Sequence, residues 1–116
     1  MSSAQKPAGP AFLQELAPDA TLTMTVLQAP VQGADGVIRT IQALVGLYAG
    51  TEVSFRGGQG DHDFVVYAPR LKSGAVLEAV VTLVRHPDRS IRHVNIGYSP
   101  LAAAQVLATE LEAALA

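Results

Sequence analysis

The chain has 116 residues, of which 49% are hydrophobic and 16% charged, a balance that suits one globular domain and not a disordered chain. Eight basic against ten acidic residues form no Lys/Arg stripe, which argues against a nucleic-acid partner. The absence of cysteine excludes disulfides, thiolate nucleophiles and Cys-ligated metals.

Residues 1–9, MSSAQKPAG, are small and polar, with too little apolar surface to offset ordering, so a disordered tail is expected there and a single domain over 10–116. The opening lacks the apolar core of a signal peptide, and no apolar run is long enough to span a bilayer; the expected location is the cytoplasm. AFLQELA predicts a short helix with Phe12, Leu13 and Leu16 on one side, stopped by Pro18. ATLTMTVL alternates strictly, with Leu22, Met24 and Val26 on one face and threonines on the other, and predicts a half-buried strand. Pro30 and Gly33 close it. VIRTIQALVGLY predicts an amphipathic helix that ends at Tyr48, with Asp35 near its positive end. TEVSFR then reads as a short strand and GGQG as a loop. DHDFVVYAPRL, AVLEAVVTLVR and SIRHVNIGY read as longer strands of an antiparallel meander. Ser99 and Pro100 are the expected N-cap and first residue of a last helix, with Leu101, Ala104, Ala108, Leu111 and Leu115 on its apolar stripe.

With its strand beginning at LAPDATLTM, its turn at APVQGADGV and its last strand running into SPLAAAQVL, the chain resembles the SnoaL-like, polyketide cyclase-like branch of the nuclear transport factor 2-like superfamily. The resemblance covers roughly residues 12–112. It implies an α+β, cystatin-like fold in which a strongly curved antiparallel sheet wraps helices into a cone with an internal pocket, and a homodimer formed through the sheet. It also implies a pocket Asp in the stretch LEAVVTLVR, where Val81 stands, and an Arg before the Pro-Leu of the last helix, where Ser99 stands. The N-terminal helical part is shorter than the family's, which leaves one wall of the cone short.

Pairing Leu71 with Ala75 and Arg85 with Ile91, without bulges, places Asp63, Val65, Tyr67, Ala79, Val81, Leu83, His93, Asn95 and Gly97 on one face. By analogy at Val81, that face lines the pocket. Asp63 and His93 then stand about 9 to 10 Å apart across Leu83 and are the candidate acid/base pair. Tyr48 or Tyr67 is the candidate oxyanion donor. The candidate ligand pocket is Met24, Tyr48, Val65, Tyr67, Val81, Leu83 and Asn95, suited to a small, mainly apolar molecule. The opposite face, carrying Phe64, Val66, Val80, Val84, Val94, Ile96 and Tyr98, is expected to be covered by a second copy.

Other signals carry less. Alternation puts His62 opposite Asp61 and Asp63, so the three cannot share a metal, and no metal or cofactor is expected. GGQG near Arg56 precedes no helix, unlike a phosphate loop, and the serines lack a nucleophile-elbow context. Three readings follow. The chain binds a small apolar molecule; it is an isomerase, cyclase or hydratase using Asp63 or His93; or it is an association module whose pocket its own side chains fill.

Overall fold

The computed structural model describes residues 9–116, so the expected tail falls, except for Gly9, outside the described residues. A 3-10 helix, Ala11–Glu15, leads directly into strand β1, Leu16–Met24, and β2 is the two-residue Val31–Gln32. Helix α1, Ala34–Gly46, precedes β3, Tyr48–Gln59, and β4, His62–Leu71. Then come β5, Glu78–Arg85, β6, Ile91–Ser99, and α2, Leu101–Leu115. The six strands form one sheet in the order β2-β1-β6-β5-β4-β3. Every pairing is antiparallel except that of β1 with β6, which is parallel, an arrangement that the long connection between these two strands permits.

Both helices pack on one face of the sheet and leave the other open. Val37, Ile41 and Leu44 of α1 and Ala104, Leu107 and Leu111 of α2 are buried against Leu22, Met24, Val81, Leu83, Val94 and Ile96 of the sheet. Burial of each large apolar side chain here is worth about 1.5–3 kcal/mol. Among the described residues, no helix is long and apolar enough to cross a membrane.

The α+β expectation holds, and four local expectations are corrected. The first segment is a 3-10 turn rather than an α-helix, and the strand after it absorbs Pro18, so Val26 lies in the turn beyond β1. Helix α1 stops before Tyr48: the Leu47 N–H bonds back to the Leu44 carbonyl, and the Leu47 carbonyl accepts from Lys72 N, which pulls the chain into the sheet. Gly57, Gly58 and Gln59 are not loop but strand, paired with Phe64, Asp63 and His62. Glycine is needed at 58, where a Cβ would lie 2.7 Å from the His62 carbonyl oxygen. Only Gly60, at φ 64, and Asp61 make the turn.

Ser99 belongs to β6 opposite Glu78 and makes no cap bond; Pro100 occupies the cap position, and its carbonyl accepts from Ala104 N. The buried stripe of α2 therefore runs through Ala104, Leu107 and Leu111, while Leu101 is exposed. Ser99→Ala is accordingly expected to cost less than about 0.5 kcal/mol in urea unfolding, where loss of a true cap would cost about 1.

Candidate ligand site

The register of β4 on β5 is the one that pairing across Lys72-Ser73-Gly74 predicts: Asp63 faces Leu83, Val65 faces Val81 and Tyr67 faces Ala79. The register of β6 is not. Arg85 does pair with Ile91, but Val84 pairs with His93, so Arg92 is an extra residue and forms a bulge. One extra residue exchanges the faces of everything after it. Val94, Ile96 and Tyr98 consequently enter the core, and His93, Asn95 and Gly97 turn to the open face. The placement of His93 and Asn95 in the pocket is thereby corrected, as is that of Val94, Ile96 and Tyr98 on the outer face. A signal for this was present: VNIGY alternates large apolar with polar or small residues, and burying Val94, Ile96 and Tyr98 satisfies that alternation.

On the open face His93 lies among the threonines of β1. Its Nδ1 is 2.6 Å from Thr21 Oγ1, and its Nε2 is 3.2 Å from Thr23 Oγ1. Thr23 spends its one hydroxyl proton on Asn95 Oδ1, at 2.6 Å, so it accepts from Nε2–H, and Nδ1 of the neutral ring accepts from Thr21. Partial burial, helped by Arg92, lowers the His93 pKa and favours this neutral ring. Asp63 is on the other face, where Arg85 Nε donates to its Oδ2 at 2.8 Å. The two candidate acid/base residues are thus on opposite sides of the sheet. Asp61 Oδ1 bonds His62 Nδ1 at 2.7 Å, and no group of three metal-ligating side chains converges among the described residues.

The helix-covered face carries a half-open cavity of about 380 Å³. Its apolar walls are Ile41, Leu44 and Val45 of α1, Val81 and Ile96 of the sheet, and Phe12 of the 3-10 helix. Gly9, Pro10 and Thr51 complete the rim, and Tyr48 and Tyr67 supply the polar end. Of the predicted pocket residues, Tyr48, Tyr67 and Val81 line this space; Met24 and Leu83 are buried in the core beside it, and Val65 packs against that core. A wider cleft of about 720 Å³ lies between residues 25–28 and the end of α2, and no predicted site residue reaches it.

The chain's three tyrosines meet beside this cavity, and Tyr48 and Tyr67 line it. The Tyr48 hydroxyl is 2.7 Å from that of Tyr98 and 3.3 Å from that of Tyr67. Tyr48 reaches the others because α1 ends two residues before it and β3 begins on it. Tyr98 reaches them because of the bulge at Arg92. Burial, reinforced by the neighbouring hydroxyls, pushes the Tyr48 and Tyr98 pKa values far above the usual phenol range. Burial also raises that of Tyr67, while its hydrogen bond with Tyr48 partly opposes the rise. At neutral pH all are phenols, carrying three O–H donors for two mutual contacts. At least one donor is left over. Either partner can donate in each contact, and when the order is Tyr98 to Tyr48 to Tyr67 the spare donor is that of Tyr67, which lines the cavity.

No family model and no curated protein matches the chain. Solved structures do. A steroid delta-isomerase from Pseudomonas aeruginosa superposes with a TM-score of 0.82 at 17% identity, over 89% of this chain and 76% of the other. A cystatin-like-fold protein from Silicibacter pomeroyi DSS-3 gives 0.81 at 13% identity, over 88% of this chain and 72% of the other. The fold is that of the nuclear transport factor 2-like, SnoaL-like proteins. A SnoaL-like family protein from Agrobacterium tumefaciens is more distant, with a TM-score of 0.61 at 14% identity, over 77% of this chain and 78% of the other. Within this SnoaL-like fold, Val81 faces the cavity, at the position where the resemblance implied an Asp.

Proposed function

We propose that this SnoaL-like domain binds one small, mainly apolar molecule in the 380 Å³ cavity, with a carbonyl or hydroxyl oxygen of that molecule accepting from Tyr67. What supports the reading is that the tyrosine cluster has one phenolic donor to spare and that two of its members, Tyr48 and Tyr67, line a mainly apolar cavity. The volume falls within the range of about 300–1,000 Å³ typical of ligand sites, which disfavours a pocket filled by its own side chains. A neutral phenol can polarise a carbonyl, but proton transfer at carbon also needs a base. Among the described residues, the cavity wall carries neither a carboxylate nor an imidazole: Asp63 is engaged by Arg85 and His93 is on the open face. Binding is therefore favoured over isomerase, cyclase or hydratase activity through those two residues.

The open face still suits a second copy, although the bulge reduces its apolar area. Phe64 and Val66 remain there with Phe55 and Val80, the last two being 54% and 42% exposed, whereas Val84 on the same face is only 8% exposed. Native mass spectrometry of the freshly purified chain tests both proposals in one spectrum. The expected result is a dimer retaining a small adduct that is absent from Tyr67→Phe; an adduct retained equally by Tyr67→Phe would refute the assigned contact, and a monomer at micromolar concentration would refute the dimer.

A further inference from the structure

The cavity has one wall that does not belong to the sheet or to either long helix. Gly9, Pro10 and Phe12, on the segment that includes the 3-10 helix, form it. Leu13, only 3% exposed, anchors the segment in the core, and its N–H bonds to the Pro10 carbonyl at 3.1 Å. Gly9 is confined as well: its φ of +118 disfavours a side chain, and a Cβ there would stand 3.0 Å from Leu13 Cδ1.

At the segment's end, Glu15 makes a polar tie to the sheet. Its Oε1 accepts from Arg85 Nη1 at 2.7 Å. The Arg85 side chain is only 11% exposed, and it donates simultaneously to Asp63 Oδ2 and, through Nη1 at 2.6 Å, to the Arg89 carbonyl. The guanidinium is thus fixed by β4 and by the β5–β6 turn before Glu15 reaches it, and a pre-oriented donor loses little freedom on forming a further bond. A 3-10 helix of five residues cannot hold its own position by helical bonding alone.

We propose that residues 9–15 form a strap along one side of the cavity's mouth, with Arg85 as the positioning residue that holds the strap in place through Glu15 and so keeps Phe12 against the ligand. The strap opens when the Glu15 contact is lost, and Leu13 acts as its hinge anchor. This controls how fast the ligand site proposed above exchanges with solvent, and rests on that reading only for what passes through the mouth.

The chain has no tryptophan, and two of its three tyrosines, Tyr48 and Tyr67, line this cavity while Tyr98 bonds to Tyr48 behind them, so intrinsic emission reports access to it without any ligand. In acrylamide quenching, Glu15→Gln is expected to raise the quenching constant about two- to fivefold, the range set by loss of a partly exposed ion pair. Phe12→Ala should raise it too, and Glu15→Gln added to Phe12→Ala should raise it no further, because the side chain that Glu15 holds in place is already gone. Hydrogen exchange gives a second readout: the Leu13 amide should exchange faster in Glu15→Gln while amides of the β5–β6 ladder do not. An unchanged quenching constant in Glu15→Gln, an equal rise in both backgrounds, or faster exchange throughout the ladder would overturn the strap. A chain that retains no ligand yet shows the expected quenching pattern would overturn the proposed function and leave the strap standing.

Discussion

Above about pH 10, the ordinary pKa of a phenol, the protein is expected to lose stability steeply and to release tyrosinate in the same transition in which it unfolds. All three tyrosines have raised pKa values in the folded chain, chiefly because burial opposes the phenolate. Below pH 10 both folded and unfolded chains keep these protons, and the tyrosines contribute no pH dependence. Above it the unfolded chain releases them and the folded chain does not, so the folded state binds more protons and unfolding gains with every further unit. Each tyrosine that stays protonated in the folded chain contributes about 1.4 kcal/mol per pH unit, so Tyr48 and Tyr98, whose shifts are large, contribute about 3 together. Since a small domain has only about 5–15 kcal/mol to lose, a rise on the order of two units above pH 10 should suffice for one near the low end of that range. Absorbance at the tyrosinate band and far-ultraviolet circular dichroism, recorded in one alkaline titration, check this. Coincident curves are expected; tyrosinate appearing near pH 10 with circular dichroism unchanged would show that the cluster is open to water.

Among single hydroxyl deletions, Tyr48→Phe is expected to be the most damaging. Tyr48 is the shared partner of the other two, so its loss strands the hydroxyl of Tyr98, which is 8% exposed, and that of Tyr67 together. A net hydrogen bond is worth about 1 kcal/mol, and each buried hydroxyl left unpartnered adds a cost of about 1–3. A destabilisation of about 2–4 kcal/mol is expected in urea unfolding, against about 1 for Tyr67→Phe, which removes a terminal member. The double variant Tyr48→Phe with Tyr98→Phe should cost less than the sum of its parts, because removing both partners of that bond eliminates the buried Tyr98 orphan and leaves only that of Tyr67. Equal costs for Tyr48→Phe and Tyr67→Phe would mean that the chain of hydroxyls is not shared in solution.

Much of the candidate site was legible in the residues, and the part that was not turns on one position. Strict alternation located β1 with Leu22 and Met24 inward, and the three-residue turn Lys72-Ser73-Gly74 set the register that brings Tyr67 and Val81 to one face. The last hairpin misled because the pairing Arg85 with Ile91 is correct and the bulge comes immediately after it. A bulge leaves no mark in hairpin length, yet it exchanged His93 and Asn95 for Val94, Ile96 and Tyr98. Tyr98 was consequently placed on the outer face, and the hydroxyl cluster could not be assembled.

The sequence by itself determined the α+β class, the strands and helices of the core, and the resemblance to SnoaL-like domains, because hydrophobic periodicity and turn chemistry are local quantities carried by neighbouring residues. From it also came the expectation of a mainly apolar pocket, though one holding Asp63 and His93 as well. Only the tertiary structure decided the parallel pairing of β1 with β6, the face on which His93 lies, the Arg85 tie to Glu15 and Asp63, and the meeting of Tyr48, Tyr67 and Tyr98. Each joins residues many positions apart, and which partner prevails depends on the summed burial of the whole sheet, a quantity that no short window of sequence contains.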